Sequence, residues 1–263
     1  MLSRLTRSQA VAVCAVPVAA LIATAVFAPL PFSVAQPGTT ANVLGDNKGT
    51  PVITISGAAT RRTSGQLRMV TIEATGPDAR VSLGDVLGNW FRTDRAVMPR
   101  DAVYPTGNTV KEIEQHNEAQ MQQSQDAAAG AALKYLGLSS DKVRITLKLA
   151  GVGGPSAGLL FTLGIIDKLD GDGGGGDLTG GRTIAGTGTI DTAGRVGAVG
   201  GVALKTQAAR RDGATVFLVP KAECADARAE LPKGLRLVPV TTLKGAVDSL
   251  VALEKGKGSV PSC

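Results

Sequence analysis

From Ser8 to Gly45 this chain carries no charged residue. Its apolar heart runs from Val11 to Phe27 and is extended by Ala28 to Val34. A helix needs about 20 apolar residues to cross a bilayer, and this run is long enough. Arg4 and Arg7 precede it. They hold the amino terminus on the cytoplasmic side and send everything after the run outside. Pro17 is compatible with a membrane helix, and Pro29 and Pro31 suit its outer end. A second reading stays open, because Ser33-Val34-Ala35 before Gln36 forms a small-residue cleavage site of the kind that ends a signal peptide. Residues 1–35 are therefore read as a cytoplasmic tip and single-pass anchor, with a signal peptide as the alternative. Either way the body of the chain lies outside the cytoplasm, at the cell membrane on the preferred reading.

Composition narrows what that body does. The formal net charge is +6, but basic residues are scattered among acidic ones, and no aromatic platform lies beside the pairs Arg61-Arg62 and Arg210-Arg211. Nucleic-acid binding is not expected. The three cysteines, Cys14, Cys224 and Cys263, show no C-x-x-C spacing, so no metal site is expected. In an exported chain, Cys224 and Cys263 are the sensible disulfide, tying down the tail at 256–263. Aromatic residues are few (one Trp, two Tyr, five Phe), so the core must be built from Leu, Val, Ile and Ala.

Residues 36–107 read as a Gly/Pro/Thr-rich linker followed by a small β-rich extracytoplasmic region, with strands at 52–55 and 67–74 and a short helix or loop at 81–91. Residues 108–138 read as one long helix, opened by the capping box Thr109/Glu112 and closed by Gly137. Residues 139–255 mix strands (143–149, 183–191, 196–199, 215–219, 235–240) with helices (159–169, 202–211, 221–230, 242–253). The rhythm is not strictly βαβ, and the fold class is α+β. The four glycines from Gly173 to Gly176 read as a floppy surface loop.

One hydroxyl is placed for chemistry. Gly154-Pro155-Ser156-Ala157-Gly158 fits G-x-S-x-G, between a strand and an apolar helix. The pattern alone is weak. The single histidine, His116, precedes the serine and reads as a surface residue on the long helix, so the hydrolase order of serine, acid and histidine cannot be built. No P-loop is present either. A serine without histidine still needs a base, and a lysine serves only if burial lowers its pKa. Lys168 is flanked by Asp167 and Asp170 and reads as solvated; Lys205 sits among small and apolar residues, with no acid between Asp191 and Asp212. Spacing alone does not separate such a base from an ordinary helix-surface lysine.

Four blocks in order extend the argument: Gly153-Gly154-Pro155-Ser156-Ala157-Gly158, Ile184-Ala185-Gly186-Thr187-Gly188-Thr189-Ile190, Gly194-Arg195-Val196, and Gly200-Gly201 with Lys205 four residues on. From about Val143 to Leu253 the chain resembles the proteolytic domain of Lon proteases. It is most similar to membrane-anchored, Lon-like proteases of Gram-positive bacteria. The resemblance implies a compact α+β Lon-type domain at 139–255, with Ser156 as nucleophile, Lys205 as general base and Thr187 supporting the lysine. The oxyanion would be met by backbone amides at the serine turn, with Gly153, Gly154 and Ala157 as candidates. No cofactor is implied. The partners implied are a peptide or protein substrate, the membrane through the N-terminal helix, and further copies of the chain, since Lon-like domains commonly form hexamers. Two departures stand out. No Walker motif is present, so ATP-independent endopeptidase action on flexible segments is expected. Only Leu138 to Lys142 separates the long helix from the protease domain, where many relatives insert a PDZ domain. The alternatives are a catalytically silent, membrane-anchored scaffold with a Lon-like fold and, less favoured for want of a histidine, a lipase or esterase.

Overall fold

The computed structural model describes residues 6–104, 109–149 and 154–263. Helix α1 (Arg7–Phe27) is opened by a capping box between Thr6 and Gln9. Arg7–Thr24 is long and apolar enough to cross a membrane, and none of it is buried inside the protein. The chain then enters strand β1 (Phe32–Asn42) almost at once. A short hairpin of β2 (Asp46–Asn47) and β3 (Thr50–Pro51) follows. Next come β4 (Ile53–Ser56), β5 (Gln66–Ala74), α2 (Leu83–Trp90), β6 (Ala96–Pro99) and the single turn α3 (Arg100–Val103). The long helix α4 (Val110–Tyr135) carries the expected Thr109/Glu112 capping box. Strand β7 (Arg144–Leu147) pairs antiparallel with β4. The C-terminal part continues as α5 (Gly158–Leu169), β8 (Thr183–Gly186), β9 (Thr189–Ile190), β10 (Val196–Gly197), α6 (Val202–Arg211) and β11 (Val216–Pro220). A 3₁₀ turn (Lys221–Glu223), α7 (Cys224–Ala229), β12 (Arg236–Val240) and α8 (Leu243–Lys255) complete it.

The organising element is a six-stranded sheet in the order β12-β11-β8-β5-β1-β6. β12, β11, β8 and β5 run parallel, while β1 is antiparallel to β5 and to β6. Its side chains alternate between two cores, as the two-residue period of a strand requires. Leu67, Met69, Ile184, Leu218 and Val238 pack with α4, α5 and α8 on one face. Val70, Ala185, Phe217, Val219 and Leu237 pack with α6 and α7 on the other. The mixed α+β architecture agrees with the sequence reading.

Two expectations are corrected. Residues 36–107 are not a linker and a separate small region. β1 and β5 are interior strands of the main sheet, and β6 forms its edge. The stretch Phe32-Ser33-Val34-Ala35-Gln36-Pro37-Gly38-Thr39-Thr40-Ala41-Asn42 has modest strand propensity, but a neighbour on each side fixes it, and tertiary pairing overrides local preference. The glycine run is not floppy either. Asp172 accepts from the amides of Gly174 and Gly176 and pairs with Lys255 at 3.0 Å, while Arg61 donates to the Gly175 and Asp167 carbonyls. Glycine there lets the backbone wrap closely around one carboxylate. The Cys224–Cys263 disulfide is formed, with a Cα–Cα separation of 5.3 Å, and both residues pack against the α6/α7 core. A cross-link of this kind contributes about 2–4 kcal/mol.

Because β1, β5 and β6 complete the sheet, a fragment of residues 139–263 is expected to lack a cooperative unfolding transition by circular dichroism, whereas residues 29–263 retain one. Cooperative melting of the shorter fragment would contradict this account of the fold.

Candidate functional site

The site forms where β8 ends. Thr187 follows β8 directly, and its amide donates to the Leu218 carbonyl of β11 at 3.1 Å. Gly188 has φ +151, and a Cβ there would meet Val196 Cγ1 at 3.0 Å, so this turn requires glycine. Thr187 and Gly188 grip the serine turn from below. The Ser156 carbonyl accepts from the Gly188 amide at 3.0 Å and from Thr187 Oγ1 at 3.3 Å, and Leu159 donates to the Gly188 carbonyl at 3.1 Å.

Helix α4 holds the same turn from the side. Ser124 Oγ donates to the Pro155 carbonyl at 2.9 Å, and the Gly154 amide donates to the Asn117 carbonyl at 3.1 Å. A Cβ on Gly158 would meet Ser124 Oγ at 3.0 Å and Ile190 at 3.2 Å, so the first residue of α5 must be small for the turn to sit this close. Sequence reasoning missed Asn117 and Ser124. Their seven-residue spacing on one helix face was the available signal.

Lys205 arrives from the opposite face of the sheet, on α6. Gly201 caps this helix in the left-handed conformation at φ 68, with its Cβ position 3.1 Å from Ile72. Lys205 is only 4 % exposed. Its Nζ donates to Thr187 Oγ1 at 3.3 Å. Thr187 has one hydroxyl proton and gives it to the Ser156 carbonyl, so the contact with Lys205 uses an N–H of the amine. The lone pair of the neutral amine is left unused by Thr187. No hydrogen bond joins Ser156 Oγ directly to Lys205 Nζ; Thr187 is the bridge.

Burial lowers the Lys205 pKa from 10.5 to about 8, and the Glu223 carboxylate acts in the opposite sense. Glu223 was not singled out from the sequence. Its own pKa is raised by burial, against the pull of the Val199 amide, which donates to Oε1 at 2.9 Å, and of Lys205. Glu223 Oε2 is buried without a hydrogen-bond partner.

Ser156, Thr187 and Lys205 are thus brought together. Among the oxyanion candidates, Gly153 lies outside the described residues. The Gly154 amide is engaged by Asn117, which corrects the expectation that it is available. The Ala157 amide has no acceptor among the described residues. His116 is exposed on α4 and lines a hollow with Tyr104 and Ile113, consistent with its reading as a surface residue. Beside the serine, a hollow of about 340 Å³ opens between α4 and β9, lined by Gln120, Gln123, Ala127, Pro155 and Ile190. The described residues contain no group of His, Cys, Asp and Glu that could hold a metal ion.

The site thus sets a serine on the turn into a buried helix above a desolvated lysine. Residues 140–252 match the Lon protease (S16) C-terminal proteolytic domain. A relative, Lon protease 1 of Myxococcus xanthus, is 34% identical over 105 residues, covering 39% of this chain. The match spans 12% of that protein's length.

Because the folded pKa of Lys205 lies below its unfolded value, the unfolded state binds the proton more tightly. The resulting stability cost is complete below about pH 8 and disappears as pH rises toward 10.5. Lys205→Met is therefore expected to raise the unfolding free energy at pH 7 by about 1–3 kcal/mol. Denaturant titration at pH 7 and pH 10 checks this, since the gain must shrink at the higher pH.

Proposed function

We propose that this chain is a membrane-anchored, ATP-independent serine endopeptidase in which Ser156 is the nucleophile and Lys205 the general base. The observation that carries the reading is the buried, hydrogen-bonded Lys205 on the Thr187 hydroxyl that also holds the Ser156 carbonyl. Neutral Lys205 takes the Ser156 hydroxyl proton as Oγ attacks a peptide carbonyl. The oxyanion is met by the amides of Ser156 and Ala157 at the start of α5, where the helix dipole favours negative charge. Charged Lys205 then protonates the leaving amine. Water, deprotonated by the same lysine, releases the acyl group and restores Ser156. Thr187 keeps the amine aimed through both halves of the cycle.

The substrate is a flexible peptide segment. The hollow between α4 and β9 admits a side chain next to the serine, and this chain carries no P-loop to drive unfolding. An extracytoplasmic setting is supported by Arg4 and Arg7 before the apolar run and by the Cys224–Cys263 bond, which suits an oxidising compartment. The anchor reading is favoured over a cleaved signal peptide by β1 itself. Cleavage after Ala35 would cut away Phe32 to Ala35, which pair with β6, and would remove the fully buried Ser33.

A fluorophosphonate probe is expected to label the wild type and not Ser156→Ala. Absence of labelling, together with no cleavage of unstructured peptides from pH 6 to 10, would sink the reading and leave the silent scaffold. Lys205→Ala is expected to lower kcat by about 10²–10⁴-fold with the fold intact, and Lys205→Arg should not rescue it, because arginine stays protonated. Thr187→Val should cost about 3–10-fold, the worth of one hydrogen bond. The pH profile of kcat/KM should rise through about 8 as the lysine loses its proton. Glu223→Gln removes a carboxylate that raises the lysine pKa, so the midpoint should move to lower pH.

A further inference from the structure

The aromatic residues of this chain are distributed unevenly. Of one Trp, two Tyr and five Phe, four (Phe27, Phe32, Trp90 and Phe91) lie at the exit of α1 and on or beside α2. Phe27 is 80% exposed, Leu87 53%, Trp90 63% and Phe91 84%. Leu87, Trp90 and Phe91 are spaced i, i+3, i+4, so they share one face at the end of α2. On the same apolar side, Leu83 lies four residues before Leu87 and Val86 four before Trp90, and these two turn inward, Val86 buried and Leu83 half-buried, so the exposed rings form the outer part of this face. Asp85, the helix's one acid, is held in the Ser82 capping box away from the apolar face.

This face does not hang on a loose segment. Helix α1 packs against α2. The Leu30 amide donates to the Val81 carbonyl at 2.8 Å, one residue before the cap of α2. Arg100 reaches the Ala79 carbonyl at 2.7 Å and the Leu30 carbonyl at 3.5 Å, and its amide donates to the Pro31 carbonyl at 2.9 Å. The end of α1 and the start of α2 are therefore clasped together. Exposed Arg80 and Arg92 bracket the helix. An apolar face with aromatic rings, flanked by arginines and fixed to the end of a bilayer-length helix, has the chemistry of the bilayer interface, where Trp and basic side chains concentrate.

We infer that α2 lies in the outer membrane interface, with Leu87, Trp90 and Phe91 inserted at headgroup depth beside the emerging α1. The inference rests on the anchor reading given above. It adds a second membrane contact that fixes the height and tilt of the protease domain. The loop after α2 also touches the lysine helix, because Gln207 Nε2 donates to the Thr93 carbonyl at 2.7 Å. Substrate segments close to the membrane surface are then the ones the site reaches.

Trp90 is the only tryptophan, so its fluorescence reports on this face without labelling. The full chain is reconstituted into phosphatidylcholine–phosphatidylglycerol vesicles, with or without bromine on the acyl chains near the headgroups. Flotation after an alkaline wash is scored in parallel. The expected result is flotation, loss of Trp90 emission in the brominated vesicles, and weakened access of aqueous acrylamide. The paired variant Leu87→Glu with Phe91→Glu, at two exposed positions, should lose the quenching while still floating and still cleaving soluble peptides. Flotation with Trp90 unquenched by bromine and open to acrylamide overturns the inference and leaves the anchor intact. Failure to float overturns both. Acrylamide protection without bromine quenching would place another protein surface, such as a second copy of this chain, over the face and overturn the inference. Quenching unchanged in the paired variant would do the same.

Discussion

An amine held out of water beneath the serine turn is the constraint on which the rest of the site depends. A buried ammonium is costly, so Lys205 is held with a pKa near 8 rather than 10.5. The surroundings serve that end. Helix α6 contains no acid, and its inner face includes Val202, Leu204, Ala208 and Ala209, all buried. Thr187 supplies the amine's hydrogen bond among the described residues. Glu223 is the moderating influence, a carboxylate that stops burial from lowering the lysine further. A fully apolar pocket would give a weaker base, and an exposed lysine would be protonated at neutral pH. The observed balance lies between those limits.

Much of this was legible in the sequence because local chemistry and tertiary packing agree. Helix α6 was read at 202–211 and is found at Val202–Arg211, since Gly201 and Gly213 punctuate an otherwise helical stretch. The apolar run behind Ser156 is α5, buried on every side from Gly158 to Asp167. What was not legible depends on partners distant in sequence. β1 mixes Phe32 and Val34 with Ala, Gly, Pro, Thr and Gln, and β5 and β6 on either side make it a strand. The glycine loop looks structureless until Asp172 and Arg61 are seen to organise it from inside. Glu223 lies 18 residues beyond Lys205, past a helix and a strand, and no local pattern links the two.

The site residues arrive from different layers, and this explains why the N-terminal half of the chain matters. Ser156 lies above one face of the sheet at the start of α5, and Lys205 below the other on α6. They meet only where β8 ends and the sheet no longer separates them. Ligand sites at the carboxyl ends of parallel strands have this origin. The sheet must hold both faces in register, and β5 and β1 pack directly under α6. Gly201 rests on Ile72 of β5. At the far end of the helix, Arg211 donates to the Gly38 carbonyl at 2.7 Å, and Asp212 accepts from Thr40 of β1 at 2.7 Å.

On the proposed anchor reading, that support makes α1 and the site mechanically continuous. β1 leaves α1 after only a few residues and runs directly beneath the helix that carries Lys205. A long flexible tether would let the domain sample a wide shell of space. Here only residues 28–31 separate α1 from a strand clamped on both edges, which leaves little free chain between them. On the proposed endopeptidase reading, a domain held this way meets segments that present themselves nearby in an extended, mobile form. On that reading, selectivity comes less from the hollow beside Pro155, which is lined by two glutamines, Ile190, Asp191 and small side chains, than from where the site is held.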